Sequence, residues 1–241
     1  LLPGVPHGHA VIQADFSRDG RRFLTRGGPA VRVWDVATGA PVTPPLDRGA
    51  PPSCAAFSRE GARLVTGHDD GMAQVWNLAT GQPAGPRLAV GGQVRSATFS
   101  PDGRRILTGW LDSSQLPSAA QLWDAATGEK VVQPMWHFDG LFHAEFSPDG
   151  RRIVTCGEDN TARVWDAATG EPVTPPLRHR AYVYTAAFSP DGRLVATASE
   201  DGTARLWEAE TGEAVTPSLE HEGRAGWVGW SPDGREIATG W

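Results

Sequence analysis

Two markers recur along this chain at one spacing. The pentapeptide Phe-Ser-x-x-Gly begins at Phe16, Phe57, Phe99, Phe146 and Phe188, and a sixth copy with tryptophan in first place begins at Trp230. A tryptophan series runs Trp34, Trp76, Trp123, Trp165 and Trp207. Both series step by about 42 residues, and both contain one step of 47, so the extra residues fall between Phe99 and Trp123. Such a period means one small unit built repeatedly and stacked on itself, not a single sequence-irregular core.

One repeat can be read residue by residue. Tyr182 to Phe188 is β-branched and aromatic without helical periodicity, which predicts a strand. Pro190-Asp191-Gly192 is turn chemistry, since proline presets φ and glycine accepts a positive one. Leu194 to Ser199 is a second strand, Asp201-Gly202 a tight hairpin and Thr203 to Trp207 a third strand. Thr211-Gly212 turns again, and Ala214 to Thr216 is a short fourth strand closed by Pro217. Four antiparallel strands in one repeat make one blade of a β-propeller. The expectation is an all-β chain of four-stranded antiparallel blades. Five are complete, the inner half of a sixth follows, and residues 1–5 are a stub of a preceding outer strand. The prolines Pro44-Pro45, Pro175-Pro176 and Pro217 then sit on the outer edge of their blades. There a missing N–H is tolerated and blocks edge-to-edge pairing.

Composition narrows the function classes. The net charge of −6 argues against a nucleic-acid or anionic-membrane partner, because phosphate binding needs concentrated basic surface. No stretch of 18 apolar residues is present. Two cysteines make no disulfide framework, so a reduced, cytoplasmic compartment is expected, with Cys54 and Cys156 as inert thiols inside strands. The glycines cradle no phosphate and no third ligand joins the histidine pairs His7/His9 or His137/His143, so no cofactor or metal is expected.

The pairs Trp34-Asp35, Trp123-Asp124 and Trp165-Asp166, with the variants Trp76-Asn77 and Trp207-Glu208, resemble the WD-repeat β-propeller family over the whole chain. The ending Thr-Gly-x-Pro-Val-Thr-Pro-Pro-Leu is most similar to bacterial arrays of that family, many of them attached to signalling domains. The resemblance implies one propeller domain over 1–241, truncated at one or both ends, in a ring of seven by family frequency. The match of Thr239-Gly240-Trp241 to Thr108-Gly109-Trp110, which continues into a third strand, favours truncation. The resemblance also implies a structural tetrad of His, Ser/Thr, Asp and Trp in each blade. His137, Thr155, Asp159 and Trp165 fit it in the fourth repeat, and His179, Thr197, Asp201 and Trp207 in the fifth. The first repeat has His7, Thr25 and Trp34 but Gly28 in place of Asp. The second has Thr66, Asp70 and Trp76 with Arg48 in place of His, and the third has Thr108 and Trp123 with Val90 in place of His. Hydroxyl, imidazole and carboxylate together evoke a hydrolase triad, but a set that recurs at the repeat period is a satisfied polar network, and no enzyme is expected.

Irregularities remain as candidate sites. Trp110 to Ser118 reads as an enlarged loop, and Met135 to Phe142 as an unusually apolar connection. By family resemblance, partner contacts come from alternating positions entering the first strand and from the residue before the hairpin aspartate. Those positions are Gly140, Phe142 and Glu158 in the fourth repeat, Tyr182, Tyr184 and Glu200 in the fifth, and Gln93 and Arg95 in the third. Phe142, Tyr182 and Tyr184 would then form an aromatic patch beside two carboxylates, the composition of a binding hot spot. For Phe142 the pattern leaves two readings open, surface contact or packing between blades. The expected function is a non-enzymatic scaffold for a protein or peptide partner, as the propeller of a larger bacterial signalling or regulatory protein. The rival is a structural or oligomerising module that positions an attached catalytic domain.

Overall fold

A computed structural model describes residues 8–111 and 118–240, and every regular element among them is a β-strand. The chain divides into two compact units, Leu1–Thr108 with Trp123–Val131, and Gly109–Leu122 with Val132–Trp241. The first unit holds blade one (Gln13–Phe16, Arg22–Gly27, Ala30–Asp35) and blade two (Pro52–Phe57, Arg63–His68, Met72–Asn77, Gln82–Pro83, Leu88–Ala89). The second holds blade four (Leu141–Phe146, Arg152–Gly157, Thr161–Asp166, Leu177–Arg178), blade five (Val183–Phe188, Leu194–Ser199, Thr203–Glu208, Leu219–Glu220) and the strand pair Trp227–Trp230 with Ile237–Gly240. The division runs through blade three, whose strands are Gln93–Phe99, Arg105–Leu111, Ser118–Asp124 and Met135–His137. Strand pairing is antiparallel in blades one, two, four and five, in simple sequence order within blades four and five.

The repeated text is turn chemistry. In blade five the Ser189 hydroxyl donates to Asp191 Oδ1 at 2.6 Å and accepts the Leu194 N–H at 2.9 Å, while Gly192 takes a φ of 74°. That arrangement is why Phe-Ser-Pro-Asp-Gly joins the first strand to the second. The aspartate after each tryptophan works at the other end. Asp166 Oδ1 accepts the N–H groups of Ala168 at 2.8 Å and Thr169 at 2.9 Å, closing the turn before Gly170. Asn77 does the same in blade two, accepting from Ala79 at 2.8 Å.

The outer strands differ from the expectation. In blade five Ala214 makes only a single bridge to Trp207, and the fourth strand proper is Leu219–Glu220, paired with Ala204 and Thr203. Blade four repeats this, with Pro172 bridging Trp165 and then Leu177–Arg178 pairing with Ala162 and Thr161. The prolines therefore interrupt the outermost strand; they do not close it. Without N–H groups they cannot carry the ladder, and it resumes past them. Trp110, Leu111 and Ser118 are strand residues and not loop, and the rest of that insertion lies outside the described residues. Met135–His137 is likewise the outer strand of blade three, which accounts for its apolar content.

Apolar faces of successive sheets pack on one another. In the second unit Val154, Val164, Leu177, Val183, Ala186 and Trp207 share one buried cluster. In the first, Leu24, Val31, Val33, Leu64 and Trp76 share another.

Inside blades four and five a polar relay ties the strands together. The Trp207 indole N–H donates to Thr197 Oγ1 at 2.9 Å, Thr197 lies 2.7 Å from His179 Nε2, and His179 Nδ1 lies 3.2 Å from Asp201 Oδ2. Blade four repeats it with Trp165 to Thr155 at 2.8 Å, Thr155 to His137 at 2.7 Å and His137 to Asp159 at 3.1 Å. The donors run in one direction only if the imidazole is neutral, accepting at Nε2 and donating at Nδ1. Burial of His179 lowers its pKa, with Asp201 opposing. Burial is also the largest single influence on Asp201 and opposes its ionisation. Hydrogen bonds from Thr203 and the Arg180 N–H, with His179, outweigh it and hold the carboxyl at about 2. Blade two solves the same problem differently. Arg48 ion-pairs with Asp70, and His68, from the second strand itself, places Nε2 2.9 Å from Thr66 Oγ1 and Nδ1 2.9 Å from the Ala50 carbonyl. His7 lies outside the described residues.

Two substitutions test this local chemistry. Thr197→Val strands both the Trp207 N–H and His179 Nε2, and is expected to cost about 2–3 kcal/mol in urea unfolding. Thr108→Val, in a blade with Val90 at the histidine position, strands only the Trp123 N–H and is expected to cost about 1 kcal/mol less. Glu208 stands where Asp166 closes its turn, and Glu208→Asp is expected to add those turn hydrogen bonds and raise stability by about 0.5–1 kcal/mol.

Candidate functional site

The inner strands of blades four and five each contain a β-bulge. The pairing register shifts between Leu141 and His143 in one and between Val183 and Thr185 in the other. Phe142 and Tyr184 are the skipped residues. A bulge leaves its residue out of the ladder and re-aims the side chain, so these two rings leave the pleat of their strands. They meet with centroids 5.3 Å apart, and Tyr182 closes on Phe142 at 6.2 Å. Tyr182 is 40 % exposed, while Phe142 and Tyr184 are half-buried. The half-buried Phe142 ring packs against the two tyrosines at the inner strand of blade five.

Two carboxylates flank the rings. The Glu158 N–H bonds the Gly140 carbonyl at 2.7 Å, and the Glu200 N–H bonds the Tyr182 carbonyl at 2.8 Å. Each hairpin is thereby tied to the entry of its own inner strand. Gly140 itself is buried. A Cβ there would fall 2.5 Å from Leu111 and 2.7 Å from the Glu158 carboxyl carbon, so the space belongs to their side chains. Arg95 is in the first unit, exposed on Gln93–Phe99, and Gln93 is half-buried on the same strand.

A group absent from the sequence-derived set completes the arrangement. Arg224 Nε lies 3.3 Å from Glu200 Oε1, and a cavity of about 540 Å³ beside it is lined by Tyr184, His221, Glu222, Gly223, Arg224 and Gly226. Arg224 and Gly226 stand one repeat after Tyr182 and Tyr184. Carrying the alternating-position rule into the sixth repeat would have found them.

Titratable groups also sit deeper, between the inner strands. Glu145 Oε1 accepts the Phe188 N–H at 2.8 Å, and burial pushes its carboxyl up to about 7, with that hydrogen bond opposing. His143, two residues away, is pushed down by burial, with a bond to Ala186 opposing. The Cys156 thiol is pushed up strongly by burial and by Glu145, and the Cys54 thiol is pushed up by burial to about 11; both cysteines are free. Thiols held in the protonated form are poor nucleophiles. No group of three or more potential metal ligands occurs among the described residues. No helix long and apolar enough to cross a membrane occurs there either.

The family model described as WD domain, G-beta repeat, matches residues 48–77, 131–166 and 170–208. The comparison with curated proteins gives no match. Among solved structures, the computationally designed Ika8 protein is similar to this chain with a TM-score of 0.79 at 21% identity, over 93% of this chain. The chain spans 66% of the length of that designed protein. At that identity the likeness speaks for the fold alone.

Glu145 generates a pH prediction. Its folded pKa, about 7, lies above the ordinary 4.5, so its stabilising contribution is full below pH 4.5 and is lost as pH rises through 7. Glu145→Gln keeps the acceptor for Phe188 and is expected to be the more stable protein above pH 7. Urea midpoints between pH 4.5 and 8 would show the wild-type slope reduced in the variant.

Proposed function

From a chain built of WD repeats, we propose a non-catalytic interaction module that captures a protein partner on the face carrying Phe142, Tyr182 and Tyr184. WD repeats generally serve as protein–protein interaction modules. The observation that carries the assignment to this face is the pair of bulges. They bring three rings within 5.3 and 6.2 Å of one another beside Glu158 and Glu200, with Tyr182 left exposed. Aromatic side chains that are already positioned lose little freedom on binding and bury much area, which makes them effective anchors. Arg95 is assigned to the same role from the neighbouring repeat register. In the cell this module is read as the propeller of a larger cytoplasmic signalling or regulatory protein of bacterial type, a reading supported by the Pro-Val-Thr-Pro-Pro-Leu endings of two of its repeats, at 41–46 and 172–177.

The test is affinity capture from the source cell with the wild-type chain and with Phe142→Ala/Tyr182→Ala/Tyr184→Ala. The partner recovered by the wild type is expected to be lost from the variant, with the unfolding transition retained. Tyr182→Ala alone removes the most exposed ring and is expected to weaken capture without disturbing the blade. Unchanged capture by both variants would overturn the assignment.

A further inference from the structure

The cavity beside Tyr184 is chemically uneven. Its wall carries one aromatic ring, the Glu222 carboxylate and the Arg224 guanidinium, while Glu200 reaches Arg224 from the adjoining hairpin. The fixed and replaceable parts can be told apart. Glu200 is 27% exposed, and its backbone is bound to the Tyr182 carbonyl at 2.8 Å. Arg224 is 69% exposed, and an ion pair at such a site is worth about 1 kcal/mol or less. Burial raises the pKa of the Tyr184 hydroxyl, with the neighbouring Glu200 adding to the shift and Arg224 opposing it. His221 is engaged elsewhere, with Nε2 2.9 Å from Thr239 Oγ1. Glu200 therefore holds one weakly bound cation beside the ring ledge of Phe142 and Tyr184, with Glu222 on the same cavity wall, on a chain of net charge −6.

Resting on the reading of this face as the partner site, we propose that the cavity receives an arginine side chain of the partner, which takes Glu200 from Arg224 and lies against the Tyr184 ring. Arg224 is then an internal stand-in for the ligand. A guanidinium suits the place because it pairs with a carboxylate through two parallel N–H groups and stacks on an aromatic face. An acidic side chain seated on Arg224 is the opposite reading, and the two make opposite predictions for one substitution.

The probe is N-acetyl-L-arginine amide, with the citrulline and glutamate counterparts as uncharged and anionic controls, followed by backbone amide shifts of the folded chain at low salt. The arginine probe is expected to shift Tyr184 and residues 221–226 saturably and to bind at least about threefold tighter than citrulline. Glu200→Gln is expected to weaken it by a similar factor. Arg224→Ala is expected to tighten it, because the competitor is gone. Tighter binding of the glutamate probe, weaker arginine binding by Arg224→Ala, or no binding to any form would overturn the proposal. The same variants in the capture experiment separate the two claims. Capture lost with the aromatic substitutions but kept with Glu200→Gln leaves the face standing and removes the arginine. Capture kept in all variants removes both.

Discussion

Each blade depends on a hydrogen bond from an indole N–H on its third strand to a threonine hydroxyl on its second. It recurs at Trp34–Thr25, Trp76–Thr66, Trp123–Thr108, Trp165–Thr155 and Trp207–Thr197, always at 2.8 or 2.9 Å. The tryptophan buries a large ring between sheets, and the threonine gives its polar atom a partner, so the burial leaves no donor stranded. In blades four and five the relay continues through His137 and His179 to the hairpin aspartates Asp159 and Asp201 and fixes the end of the sheet. Where arginine stands instead, as at Arg48, the guanidinium takes the aspartate directly and His68 fills the imidazole's place.

The candidate face inherits its order from that relay. Glu158 and Glu200 immediately precede the relay aspartates Asp159 and Asp201, so the flanking carboxylates sit on pinned hairpins. The same hairpins hold the Gly140 and Tyr182 carbonyls, which mark the entries of the bulged strands. Phe142 and Tyr184 are thus aimed by backbone geometry and not by loop chance. Ser53, in the corresponding shift between Pro52 and Cys54 of blade two, hydrogen-bonds to the Val94 carbonyl instead. One backbone device therefore places a hydrogen-bonding serine in one blade and packed aromatic rings in two others, according to the residue placed there.

What could be read from sequence follows from how local the physics is. Phe-Ser-x-Asp-Gly and Trp-Asp-x-x-Thr-Gly encode turns whose donors and acceptors lie within five residues of each other, so the text specifies the strands they join. Thr155 and Thr197 lie ten residues before their tryptophans, across a single hairpin, which the repeat also specifies. His68 in place of the missing blade-two histidine was not legible, because its role depends on the Ala50 carbonyl across the sheet. The rejoining of Leu219–Glu220 after Pro217 was hidden because a two-residue strand carries no periodicity. Glu145 reads as an ordinary surface position until the Phe188 N–H is brought to it from the next blade. The aromatic positions were legible through the repeat register, while their contact with one another needed two bulges that no sequence period announces.

The most direct test of the relay is hydrogen exchange at the indole nitrogens, followed by nuclear magnetic resonance with nitrogen labelling. The account predicts slow exchange for Trp34, Trp76, Trp123, Trp165 and Trp207, all buried and bonded to threonine, and fast exchange for the half-exposed Trp136 and Trp227. Exchange of the five relay indoles as fast as that of Trp136 and Trp227 would contradict it, and with it the claim that pinned hairpins organise the aromatic face.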